Sequence, residues 1–169
     1  MKTPQAVYKR CIEFEERASA LYMALASHFS PANPGLAALW LEMGMQEKQH
    51  AGLLQFCLAE RLFAPHLPNG GQLRRISGQF RKLEKRAANK NLDIDEAFVI
   101  ATEMEASEVN DLFCRLTTSV HNSMYLLRRK ISSCVPDHIH ALVAAAKKFG
   151  VGSETVKRIE RLESGCTAA

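Results

Sequence analysis

Polar residues stand twice on faces of this chain that should be apolar. Residues 11–22 read CIEFEERASALY and residues 101–112 read ATEMEASEVNDL, so a shift of 90 positions carries Glu13, Phe14 and Glu15 onto Glu103, Met104 and Glu105. The same shift carries Glu47 to Asp137 and His50 to His140, and Glu15 precedes Glu47 by 32 residues just as Glu105 precedes Asp137. Recurrence at this period, inside segments of helical periodicity, marks a duplicated helix hairpin. A chain built this way folds by burying the apolar stripes of two hairpins against each other.

In the first hairpin, Thr3 and Pro4 suit a helix start, cap then first helical position. A helix over 5–29 follows from Cys11, Phe14, Ala18, Leu21, Leu25 and Phe29, spaced three or four apart. Glu15, Ala18, Ser19 and Tyr22 share one of its sides, the two small residues leaving room between the larger ones. The run Ser30-Pro31-Ala32-Asn33-Pro34-Gly35 breaks it. A second helix over 36–63 carries a broad stripe of Leu36, Leu39, Trp40, Met43, Leu54 and Cys57, interrupted only by Glu47 and His50. Those two are three apart and point to the same side. A carboxylate on such a stripe must be paired, neutralised or metal-bound. With a second set of carboxylates and histidine elsewhere in the chain, metal binding is the least costly of these. Glu-x-x-His is then half of a binuclear cradle inside a bundle.

Residues 64–92 are less regular: Pro65, Pro68, Asn69, Gly70 and Gly71 make a loop, followed by a short or poorly ordered helix. Arg74, Arg75, Arg81, Lys82, Lys85, Arg86 and Lys90 stand there against Glu84. With Phe80 as the one interleaved aromatic, this reads as a solvated crossover and not as a nucleic-acid interface. The second hairpin spans 93–149. Asp93 or Asp95 caps its first helix, where Glu105 and Glu108 interrupt an arc of Ala97, Ile100, Ala101, Met104, Val109, Leu112, Phe113 and Leu116. Two carboxylates one turn apart repel unless they share a proton or a cation. In the fourth helix Met124, Leu127, Ile131, Val135, His138 and Leu142 keep a helical period across Pro136. Either the helix kinks near Ser132–Ser133 or it starts at Pro136. His121 and His138 match no ligand position of the first hairpin and read as accessory or surface histidines. A short helix over 154–162 and a frayed tail, 164–169, close a single domain of residues 1–163.

The bulk properties narrow the class. A hydrophobic fraction of 47% in 169 residues supports a real core and excludes a disordered chain. There is no run of 18 uncharged apolar residues, so no membrane span is expected. MKTPQAVYKR lacks the apolar core of a secretory signal. Five cysteines without metal-like spacing are read as reduced core fillers of a cytoplasmic protein. Leu53, Phe56 and Phe63 widen the apolar surface of the second helix, a hint of a homodimer face.

The joint spacing resembles the ferritin-like superfamily and, within it, the rubrerythrin-like branch. That pattern places a carboxylate on the first helix, Glu-x-x-His on the second, and the same again on the third and fourth. It lands on Glu15, Glu47, His50, Glu105, Asp137 and His140, with Glu108 as the extra third-helix carboxylate and Tyr22 seven residues after Glu15. Asp137 departs from the family's Glu, and no Cys-x-x-Cys pair follows to form a rubredoxin-type tail. The resemblance implies an all-α four-helix bundle with a long crossover between two hairpins. It implies two iron ions, manganese being possible, since carboxylate-rich sets with one imidazole per ion suit these metals better than zinc. In the implied arrangement Glu15 and His50 serve one ion, and Glu108, Asp137 and His140 the other. Glu47 and Glu105 bridge, and Tyr22 donates a hydrogen bond to a ligand or oxidant. The implied activity is reduction of hydrogen peroxide or activation of dioxygen, with Glu108 and Tyr22 at the reacting group and an external electron donor. The alternatives are ferritin-like iron oxidation and storage, or a metal-free bundle with a structural or interaction role.

Overall fold

The computed structural model describes residues 3–117 and 134–166, apart from the side chains of Glu108, residues 134–137, and 165 and 166. Seven helices are described: α1 (Pro4–Phe29), α2 (Pro34–Ala59), α3 (Gly70–Ala87), α4 (Ile94–Glu105), α5 (Glu108–Thr117), α6 (Cys134–Lys148) and α7 (Ser153–Cys166). The architecture is a four-helix bundle made of α1, α2, the bent pair α4–α5, and α6. Helix α7 covers α6 and α4, and α3 lies against α1 and α4. No described helix is long and apolar enough to cross a membrane.

Capping chemistry sets the helix starts. Thr3 Oγ1 accepts from Ala6 N at 3.3 Å, Asn33 Oδ1 from Leu36 N at 3.1 Å, Asn69 Oδ1 from Gln72 N at 2.9 Å and Asp93 Oδ1 from Glu96 N at 2.7 Å. Pro4 and Pro34 sit in first turns, where a missing N–H costs nothing. Helix α2 stops at Ala59, short of the expected 63, and Arg61 takes a left-handed conformation with φ 55°. Tyr8 then ties three segments together. Its hydroxyl donates to Leu116 O at 2.9 Å and accepts from Ala64 N at 2.9 Å, pinning the end of α2 and the end of α5 to α1.

The crossover is more regular than its composition suggests. Helix α3 has 18 residues, and Leu73, Ile76, Phe80, Leu83 and Ala87 form a buried stripe on it. Phe80 stacks on Phe14 with ring centroids 5.7 Å apart. Arg17 lies over the Phe80 ring and grips Glu84 through two bonds, of 2.6 and 2.8 Å. Arg86 reaches Glu96 at 2.7 Å and Glu103 at 2.6 Å, fastening α3 to α4.

Two other expectations change. The third bundle helix is not continuous: Ala106 and Ser107 separate α4 from α5 immediately after Glu105. Of the three residues read as widening an outer face, Leu53 is buried and Phe63 packs edge-on against Tyr8 at 5.2 Å. Phe56 is exposed, as are Leu41 and Met45 on the same helix.

Candidate metal centre

Helix α1 turns Glu15, Ala18, Ser19 and Tyr22 inward, and all four are buried. Helix α2 turns Glu47 and His50 toward them. The two helices come close because position 44 is glycine. A Cβ there would meet Met23 Cε at 3.1 Å, Ser19 O at 3.2 Å and Tyr22 Cβ at 3.3 Å. Ser19 uses the same closeness to donate to Gly44 O at 2.7 Å, so it knits the two helices together. The third element supplies Glu105 from the last turn of α4, and α6 supplies His138.

These residues form two groups of possible ligands, Glu15–Glu47–His50 and Glu47–Glu105–His138, with ligand atoms in each group within 4.8 Å of one another. Glu47 belongs to both. Its Oε2 lies 3.1 Å from His50 Nδ1, and its Oε1 lies 3.4 Å from His138 Nδ1. Glu15 Oε2 is 3.8 Å from His50 Nδ1, and Glu105 Oε1 is 3.6 Å from His138 Nδ1. The two imidazoles stand 5.6 Å apart, and His50 stacks on Phe113 at 4.2 Å. No residue of the five is more than 5% exposed, so water screens none of these charges.

Burial and mutual repulsion show in the acid–base properties. Burial, followed by Glu15 and Glu105, pushes the Glu47 carboxyl up to about 8 against the pull of His50. Burial would raise Glu105 too, but His138, Tyr22 and Asn110 together hold it below the usual carboxylate range. Burial works to lower His138, and Glu105 and Glu47 outweigh it to keep the imidazole above its ordinary range. Tyr22, raised well above its usual range by burial and then by Glu105 and Glu47, keeps its proton and donates it to Glu105 Oε1 at 2.6 Å. One turn before Glu15, burial and that carboxylate push the Cys11 thiol up to about 12.

The donor set fits a pair of cations. Three carboxylates and two imidazoles gathered in an apolar interior are costly without a counter-charge. Glu15 Oε2 and both ring nitrogens of His138 are buried without a hydrogen-bond partner among the described residues, as expected of atoms shaped for a metal. Oxygen-rich ligation with imidazole suits iron or manganese.

The sequence-derived residues divide as follows. Glu15, Glu47, His50 and Glu105 converge, and Tyr22 reaches Glu105. His140 does not join them. Its side chain is 78% exposed, and its Nδ1 lies 2.8 Å from Glu163 Oε1 on α7. His138, read from the repeat as an accessory or surface histidine, is 1% exposed and holds the inner position. The correction has a simple physical cause. Ile139, Leu142, Val143, Ala145 and Ala146 are the buried positions of α6, and they fix its rotation. His138 lies one turn before Leu142, whereas His140 shares the exposed face of Ala144 and Lys147. The period that joins His138 to Leu142 carried the right register, and the 90-residue shift overrode it. Asn110, absent from the sequence reading, donates from Nδ2 to Glu105 Oε2 at 2.8 Å. The side chains of Glu108 and Asp137, and His121 as a whole, lie outside the described residues.

Against known proteins, the family model described as Rubrerythrin matches residues 8–111, more than half of the 169-residue chain. The match takes in Glu15, Glu47, His50 and Glu105 and ends before α6. No curated protein and no solved structure matches the chain. An all-α bundle that turns Glu15, Glu47, His50 and Glu105 into one buried cluster, together with that match, gives the assignment: this chain belongs to the rubrerythrin family.

Proposed function

We propose that this protein is a dinuclear iron oxidoreductase that reduces hydrogen peroxide or activates dioxygen, with manganese as the alternative metal. The observation that carries the reading is the placement of Glu47, one carboxylate oxygen toward His50 and the other toward His138. A carboxylate so flanked is built to span two cations. Glu15 and His50 would hold one ion, and Glu105 and His138 the other, with Glu47 shared by both groups. Glu108, at the start of α5, and Asp137, beside His138, are the further carboxylates assigned to the second ion.

When bound, a pair of iron ions would supply two one-electron ferrous–ferric couples. The residues around it bind, orient and exclude water. The near-complete burial of all five described ligands keeps bulk solvent from the reacting atoms. Tyr22, neutral at physiological pH, supports Glu105 with a single hydrogen bond and presents no negative charge of its own. Reduction of peroxide to two waters consumes two electrons and two protons. An electron donor outside the bundle supplies the electrons.

Elemental analysis of protein loaded anaerobically with ferrous ion tests the reading. About two ions per chain are expected, and rapid mixing of the ferrous protein with peroxide is expected to oxidise both. Binding of less than about a fifth of an equivalent, against the two sites this ligand set provides, would overturn it.

A further inference from the structure

We infer that Asn110 is a positioning residue of the centre, and that the break between α4 and α5 exists in part to let it act. The inference rests on the two-metal reading above. In an uninterrupted helix the carbonyl of Glu105 would accept the N–H of Val109. At the break that N–H turns instead to Ser107 Oγ at 3.3 Å, and Ser107 N donates to Met104 O at 2.9 Å. Asn110 fills the vacated place, with Nδ2 3.1 Å from Glu105 O and 2.8 Å from Glu105 Oε2. Two acceptors face the amide, so its nitrogen end must point at them, and its two hydrogens serve one acceptor each.

Glu105 is thereby held at three points. Its backbone carbonyl and Oε2 bind Asn110, and its Oε1 binds Tyr22. Rotation of the carboxylate away from His138 would sever bonds at both oxygens. Glu15 differs, for its Oε2 has no hydrogen-bond partner among the described residues. The Glu105 carboxylate is therefore fixed in advance, whereas among the described residues no such contact holds Glu15 Oε2. Asn110 is itself only partly buried. A ligand locked by such outer contacts binds before one that must be ordered.

The test is titration of chelator-stripped protein with cobalt(II), followed by visible absorption and calorimetry, in wild type and in Asn110→Ala. Wild type is expected to bind two ions in two resolvable steps. In Asn110→Ala the tighter step is expected to weaken about 10- to 100-fold, the range for loss of a partner that orients a ligand. The weaker step is expected to stay near wild type, while the thermal midpoint of the metal-free protein falls, since the buried Glu105 carboxylate loses a donor. Asn110→Asp, which turns an oxygen toward two acceptors, is expected to weaken the same step further. Asn110→Ser, too short to reach Glu105, replaces Asn110→Ala if that variant does not fold. Unchanged affinities, or an equal loss in both steps, would overturn the role of Asn110. Wild-type protein that binds no cobalt would instead overturn the two-metal reading, and this inference with it.

Discussion

Replacing Glu47 by Gln in chelator-stripped protein should make the fold more stable at alkaline pH and flatten its pH dependence. Glu47 titrates near 8 in the folded chain against an ordinary value of 4.5, chiefly through burial. A raised carboxyl favours the folded state fully below the unfolded value and loses that contribution as pH rises through the folded one. At about 1.4 kcal/mol per pH unit, the interval from 4.5 to about 8 amounts to roughly 5 kcal/mol. Glutamine has the same shape and no proton to lose, so it removes this slope. His138, also raised, adds a loss in the same direction above its ordinary range in both proteins, while Glu105, lowered, titrates below the window. Urea unfolding from pH 5 to pH 9 should therefore show near-equal stability at the acid end. At the alkaline end the variant should gain roughly 3 to 5 kcal/mol, the scale of an uncompensated buried charge. A constant difference between the two proteins at every pH would refute the reasoning, because it would mean that Glu47 does not keep its proton when the fold is metal-free.

Three further outcomes are expected. His138→Ala should cost one of the two bound metal ions, while His140→Ala should keep both; the reverse result in elemental analysis would restore the 90-residue register. Tyr22→Phe should lower metal-free stability by about 1 to 3 kcal/mol, the cost of leaving a buried carboxylate oxygen without its donor. A change below about 0.5 kcal/mol on denaturant titration would mean that another group takes over. Phe80→Ala should cost about 3 to 5 kcal/mol, since the ring is 1% exposed and packed between Phe14 and the Arg17 guanidinium. A loss under about 1 kcal/mol would show that α3 is not part of the core.

Why the first hairpin was readable and the second less so can be traced to particular residues. Around Glu15 and Glu47 the apolar positions are dense, and Ser30–Gly35 marks the turn without ambiguity, so helix rotation follows from the period alone. Glu105-Ala106-Ser107-Glu108 contains neither proline nor glycine and reads as helix throughout. The break after Glu105 is made by side chains, Ser107 Oγ and Asn110 Nδ2, whose preference for local backbone partners no periodicity expresses. In α6 two signals conflicted, the internal repeat and the local stripe, and local packing decides rotation because one position of slip exposes a whole apolar face. Helix α3 was obscured by its charge: Leu73, Ile76, Phe80, Leu83 and Ala87 keep a helical period beneath a row of arginines and lysines.

Cys11 has a consequence for how well the interior around Glu15 would withstand an oxidant such as peroxide. Sulfur attacks peroxide as thiolate, and one step of oxidation leads on to products that no cellular reductant easily reverses. Held to about 12, the thiol one turn from Glu15 is ionised to about one part in 100,000 at neutral pH. An oxidant that reached Glu15 would meet this sulfur in its unreactive, protonated form. The setting that makes the interior hostile to charge thus also makes it chemically quiet, and a cysteine can remain beside the centre as inert filling.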